Sequence, residues 1–111
     1  MFFDDWKCHP DAKLNPALLW EYDLSSPDWD WNRMATTVAA RVLERGYADD
    51  YYALFHLYGN PDTVKQIIRQ IPYLSAFDLN WACVLFHLQK EDMHCYKRML
   101  SRQKRLSLSA N

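Results

Sequence analysis

The chain has two glycines in 111 residues, Gly46 and Gly59, and each falls directly after a helix-like segment. That placement constrains the fold more than any other feature. Arg-Val-Leu-Glu-Arg-Gly46 ends one helix and Leu-Tyr-Gly59 ends a second, while Asn60-Pro61 opens a third and Ser75-Ala-Phe-Asp78 a fourth. Links of two to four residues make consecutive helices spatial neighbours, each burying its apolar stripe on the next.

The apolar spacing fills in the elements. Asn15 caps a short helix with Pro16 at its first position, and Leu24-Ser-Ser-Pro27 interrupts it. Asp28 or Asp30 caps the next helix, in which Trp31, Met34 or Ala35, Val38 and Val42 share a face and Gly46 supplies a left-handed closing residue. Tyr51, Leu54, Phe55 and Tyr58 repeat with the same period behind Asp49 and Asp50. Val64, Ile67, Ile68 and Ile71 follow, and Pro72 stops that helix. Phe77, Trp81, Val84, Leu85 and Leu88 form the cleanest stripe, so their helix is expected at the centre. A last helix starts at Lys90-Glu-Asp92 with Met93, Tyr96 and Leu100 turned inward. The expected fold is all-α: a compact bundle of about five to six short helices over residues 15–105, with a helix-turn-helix as one arrangement of residues 49–71. Residues 1–14 are expected to form an arm laid across the body through Phe2, Phe3 and Trp6, and 106–111 a frayed tail.

Half of the residues are apolar, with five Trp, seven Tyr and five Phe, so a core can form without metal or disulfide staples. The three cysteines, Cys8, Cys83 and Cys95, form an odd set without paired spacing, which suits a reducing compartment. No stretch approaches the length of a membrane span and the start lacks a signal-peptide pattern, so the chain reads as cytoplasmic. Charge is segregated. Residues 1–62 hold eleven acids and five bases, net −6, and residues 63–111 hold three acids and eight bases, net +5. The basic end is read as a solvated helix terminus in preference to a phosphate-binding patch.

No nucleophile sits in a glycine-rich turn and no phosphate-cradling glycine loop exists, so the chain is read as non-enzymatic. Cys8-His9 and His94-Cys95 are ligand-capable pairs, but adjacent helical residues diverge by about 100°, and zinc sites normally space their ligands further apart. Glu91 and His94 make one Glu-x-x-His where a di-iron bundle needs two. Neither a metal nor any other cofactor is expected; His87 and His94 are read as partly buried histidines satisfied by a carbonyl or by Glu91.

Two surfaces remain as candidates. Trp6, Trp20, Trp29 and Tyr47 fall off the apolar stripes and are candidate anchors for a protein partner. Thr63, Gln66, Arg69 and Gln70 would line the outward face of a recognition helix, aided by Arg98, Arg102, Lys104 and Arg105. Asp49, Asp50 and Asp62 oppose phosphate there, which favours an ordinary helical hairpin over DNA binding.

Taken together, Leu18-Leu-Trp-Glu-Tyr-Asp23, Asp28-Trp-Asp-Trp31, Arg41-Val-Leu-Glu-Arg-Gly46, Leu57-Tyr-Gly59, Tyr73-Leu-Ser75, Leu79-Asn-Trp81 and Cys95-Tyr96 resemble a bacterial family of small proteins of unknown function. The order and spacing match over about residues 16–97. This chain departs from the pattern at Trp20, where Phe-Trp is usual, and in its basic extension after Lys97. Members of that family are often encoded beside nucleotidyltransferase-like toxins of the abortive-infection type. The resemblance therefore implies an antitoxin or accessory role, as the partner of a nucleotidyltransferase-like toxin; the alternative, a DNA-binding regulator, is read from the residues of the 49–71 segment.

Overall fold

The computed structural model describes residues 2–109, with side chains up to Lys104. Five α-helices follow one another: α1 (Ala35–Arg45), α2 (Ala48–Tyr58), α3 (Pro61–Gln70), α4 (Ala76–Phe86) and α5 (His94–Ser109). Short 3-10 turns occupy Trp6–Cys8, Pro16–Leu19 and Lys90–Asp92, and no strand occurs among the described residues. The all-α bundle expected from the sequence is the observed architecture.

The start signals act as their chemistry dictates. Asn15 Oδ1 accepts from the Ala17 amide at 3.0 Å, Asn60 Oδ1 from Thr63 at 2.8 Å and Ser75 Oγ from Asp78 at 3.1 Å. Each satisfies an amide that the first helical turn leaves without a partner. Asp30 accepts from the Asn32 and Arg33 amides, but the turn it organises precedes α1, which begins only at Ala35.

The two glycines work differently from each other. Gly59 has φ 103° and closes α2 with its amide donating to Phe55 O at 2.8 Å. Gly46 is not left-handed as expected; its φ is −74° and its ψ 154°. Glycine is needed there for space, because a Cβ would lie 2.6 Å from Val42 O and 2.9 Å from Val42 Cγ1.

The hub is α1, which touches the Pro16–Leu19 turn, α2, α3 and α4, and whose Val38, Ala39 and Val42 are fully buried. This corrects the expectation that α4 would be central. Leu19, Leu54, Phe55, Val64, Ile68, Leu85 and Phe86 complete the interior. The N-terminal segment lies on α2: Phe3 stacks on Tyr51 with ring centroids 4.7 Å apart, and Trp6 meets Phe55 edge-on. Phe3 takes φ 66°, a conformation costing about 1–2 kcal/mol, offset by its packing among Tyr51, Tyr52 and Phe55. Phe2 stays exposed.

At the other end α5 continues to Ser109, past the boundary at residue 105 drawn from the sequence; residues 110–111 of the expected tail lie outside the described residues. Its inward side is Cys95 and half-buried Tyr96 and Met99, with Met93 buried just before it, while Leu100, expected inside, is exposed.

Candidate interaction surface

The helix α4 is apolar on nearly all sides: its eleven residues include one acid, Asp78, and one amide, Asn80. A helix of that composition is normally covered all round. Here it is covered on one side only. Leu79, Ala82, Leu85 and Phe86 enter the core, whereas Phe77 is 77% exposed, Val84 58% and Trp81 42%. Spacings of four and three place these three residues on one face, and Tyr73, 71% exposed, precedes them. Of the stripe expected inside, Phe77, Trp81 and Val84 are therefore outside, whereas Leu85 and Leu88 are buried as expected. The helix carries two stripes with helical period, and the packed one is that of Leu79.

One contact fixes the edge of this row. Trp81 Nε1 donates to Tyr51 Oη at 3.0 Å. Burial pushes the Tyr51 phenol up to about 12, and the indole bond opposes that shift without cancelling it. The indole is thus held by a neutral phenol that itself rests on Phe3 and Phe86.

The 72–74 link and α5 line a partly open cavity of about 150 Å³. Leu74 and Cys95 are its buried floor, and Arg98 and Arg102 stand on its rim. Arg98 Nη1 donates to Pro72 O at 3.1 Å, which ties α5 to the link. Neither guanidinium meets a carboxylate among the described residues. Burial raises the Cys95 and Cys83 thiols above the ordinary thiol range, which disfavours the thiolate.

The four aromatic candidates from the sequence separate into two pairs. Trp20 (74%) and Tyr47 (79%) are exposed. Trp6 and Trp29 are half-buried: Trp6 packs on Phe55 and His56, and Trp29 packs between Tyr22 and Trp31 with its indole Nε1 buried and unbonded. No two of the four share a ring contact among the described residues. Of the polar candidates, Gln66, Arg69 and Gln70 are exposed on α3 and Thr63 is half-buried at its start. Arg98 and Arg102 come together at the cavity, on a helix that packs against α3, and Lys104 is exposed further along it. The Arg105 side chain lies outside the described residues.

His87 and His94, read from the sequence as partly buried, are both exposed; His87 is the left-handed C-cap of α4, with φ 54°. The partnered histidines are instead His9, 3.1 Å from Asp5, and His56, 2.9 Å from Trp6 O. Among the described residues no three His, Cys, Asp or Glu side chains converge as metal ligands, and no helix is long and apolar enough to cross a membrane.

Residues 14–68, just under half of the chain, match the model of a family of unknown function, DUF6922. No curated protein and no solved structure matches the chain. The matched segment covers α1, α2 and most of α3, the part in which the Arg-Gly and Tyr-Gly stops set the helix hairpins. The exposed row on α4 lies outside it.

Proposed function

We propose that this chain is a non-enzymatic protein-interaction domain of the bacterial cytoplasm, acting as the antitoxin-like partner of a nucleotidyltransferase-type toxin. The observation that carries the reading is the uncovered apolar face of α4. Three large side chains share one exposed face, a patch of the kind that marks a protein interface, and exposed Tyr73, which lines a cavity with two arginines, lies just ahead of them in the chain. Its mechanism would be occlusion: the rings of Tyr73, Phe77 and Trp81 anchor on the toxin and block access to its active site. Trp20 and Tyr47 provide further exposed rings. The identity of the partner rests on the sequence resemblance to proteins encoded beside such toxins.

Co-expression with the neighbouring gene product, followed by size exclusion, tests the reading. Co-elution of the wild type and its loss in Phe77→Asp support it, and absence of co-elution refutes it.

The DNA-binding alternative draws on the exposed Gln66, Arg69 and Gln70 of α3 and on its contact with basic α5. Asp62 is exposed at the start of the same helix and opposes phosphate. A gel shift with the chain's own upstream DNA at two salt concentrations checks it, because phosphate-driven binding weakens steeply with salt.

A further inference from the structure

The cavity between the 72–74 link and α5 combines two kinds of recognition. Its floor of Leu74, Cys95 and Met99 is apolar, and its volume of about 150 Å³ is that of a cavity that accepts a benzene-sized group. Its rim is cationic. Arg98 is held in place by its bond to Pro72 O, and Arg102 stands one turn further along the same face. From His94 to Ser109 the helix has no acidic residue, so nothing on α5 itself neutralises these guanidiniums. Tyr73 also lines it, and lies four residues ahead of Phe77, the first of the exposed side chains Phe77, Trp81 and Val84 on α4.

We propose that this cavity and the aromatic row beside it dock an acidic segment of a protein partner, with one large apolar side chain on Leu74, Cys95 and Met99 and a flanking carboxylate on Arg98 and Arg102. The inference rests on the protein-interaction reading above and gives that partner its chemistry. Charge complementarity selects the acid: two neighbouring guanidiniums form forks that match carboxylate oxygens, and neither meets a carboxylate among the described residues, Arg98 using only one nitrogen on Pro72 O. The recessed floor of Leu74, Cys95 and Met99 suits an aliphatic or aromatic side chain better than a nucleobase, which stacks on open ring faces along a groove that follows the phosphates. Asp78, next to Phe77 on the same helix, also repels a phosphate chain along the row.

The test pans the full chain against displayed random peptides, then measures the affinity of a synthetic version of the enriched sequence. Enrichment of sequences that place a large apolar residue beside Asp or Glu is the expected result. Arg102→Glu, which breaks no bond within the described residues, should weaken the synthetic peptide at least about tenfold, and pairing Arg98→Glu with it should favour Lys or Arg in the enriched sequences. A near-wild-type circular dichroism melt for Arg102→Glu keeps folding out of the comparison.

No enrichment, enrichment of basic sequences, or unchanged affinity in Arg102→Glu overturns the proposal. Steeply salt-dependent binding of a polythymidine strand, lost in Arg102→Glu while acidic peptides fail to bind, overturns it in favour of nucleic acid. Concentration-dependent dimers in sedimentation, lost in the same variant, overturn it in favour of a second copy. Acidic peptides that bind while the toxin fails to co-elute would refute the toxin reading and leave this inference standing. Co-elution without selection of acidic peptides would do the reverse.

Discussion

Asp50 is the one charged residue among the buried side chains of the described chain, 4% exposed, and its carboxylate joins two parts of the fold. One oxygen accepts from the Asn15 amide at 2.8 Å, and the other from the Tyr47 amide at 2.9 Å. The first bond ties the start of the Pro16–Leu19 turn to α2 across 35 positions of sequence; the second fixes the link from α1 into α2. Hydrogen bonds to a charged group contribute about 1.5–3 kcal/mol each, and a carboxylate in the first turn of a helix adds about 0.3–1 kcal/mol. Asp50→Ala strands both amides, so it should cost about 3–5 kcal/mol, a large share of the roughly 5–15 kcal/mol by which a small domain is stable. Asp50→Asn keeps one oxygen and turns an NH2 group towards the other amide, so it should cost about 2 kcal/mol. Urea melts measure both, with an unchanged slope and a shifted midpoint showing that stability alone has changed. Hydrogen exchange should show the Asn15 and Tyr47 amides losing protection in Asp50→Ala. If both variants lie within about 0.5 kcal/mol of wild type, or if Asn is as costly as Ala, the two-bond account is wrong.

Three further perturbations follow from particular contacts. Gly46→Ala should destabilise by about 1–3 kcal/mol through overpacking against Val42 although its φ suits any residue; a neutral midpoint would show that the 45–47 backbone moves freely. Phe77→Ser should leave the midpoint within about 0.5 kcal/mol while Leu79→Ala costs about 2–5 kcal/mol, and the opposite order would restore the stripe expected from the sequence. Burial holds both Tyr51 and Tyr58 at about 12, above the ordinary phenol value of about 10, so the unfolded chain loses these protons first as pH rises. Their contribution is complete below pH 10 and is lost between about 10 and 12, so phenolate absorbance should rise together with alkaline unfolding rather than ahead of it.

Helix boundaries were legible because they depend on local chemistry. Asn15, Asn60 and Ser75 cap through bonds to amides two or three residues away, and Pro16, Pro61 and Pro72 act within one turn, so the chain announces these points itself. Gly46 was read as the right residue for the wrong reason, since its closeness to Val42 depends on where α1 ends rather than on any preferred φ. The long-range ties were not legible. Asp50 binds the backbone of Asn15, and Arg41 pairs with Glu21 and donates to Leu18 O, so the partners are amides, carbonyls and one acid among many that sequence does not single out.

The candidate surface was missed for a related reason. Periodicity locates the buried side of a helix only when the other side is polar, and α4 has apolar residues on both. Leu79-Ala82-Phe86 and Phe77-Trp81-Val84 each satisfy helical spacing, and the choice between them is made by α1, whose Val38 and Val42 lie far earlier in the chain. Once the Leu79 side is packed, the geometry of a single helix forces the Trp81 side outward. The second stripe adds little to folding there, since its rings remain largely in water. It follows closely on Tyr73, which lines the arginine-rimmed cavity, so exposed rings and cations that meet no carboxylate among the described residues come together at the 72–74 link. A fold gains nothing from that adjacency by itself. An acidic, apolar partner gains from both halves of it at once, which is why the same residues that confuse the sequence reading carry the functional one.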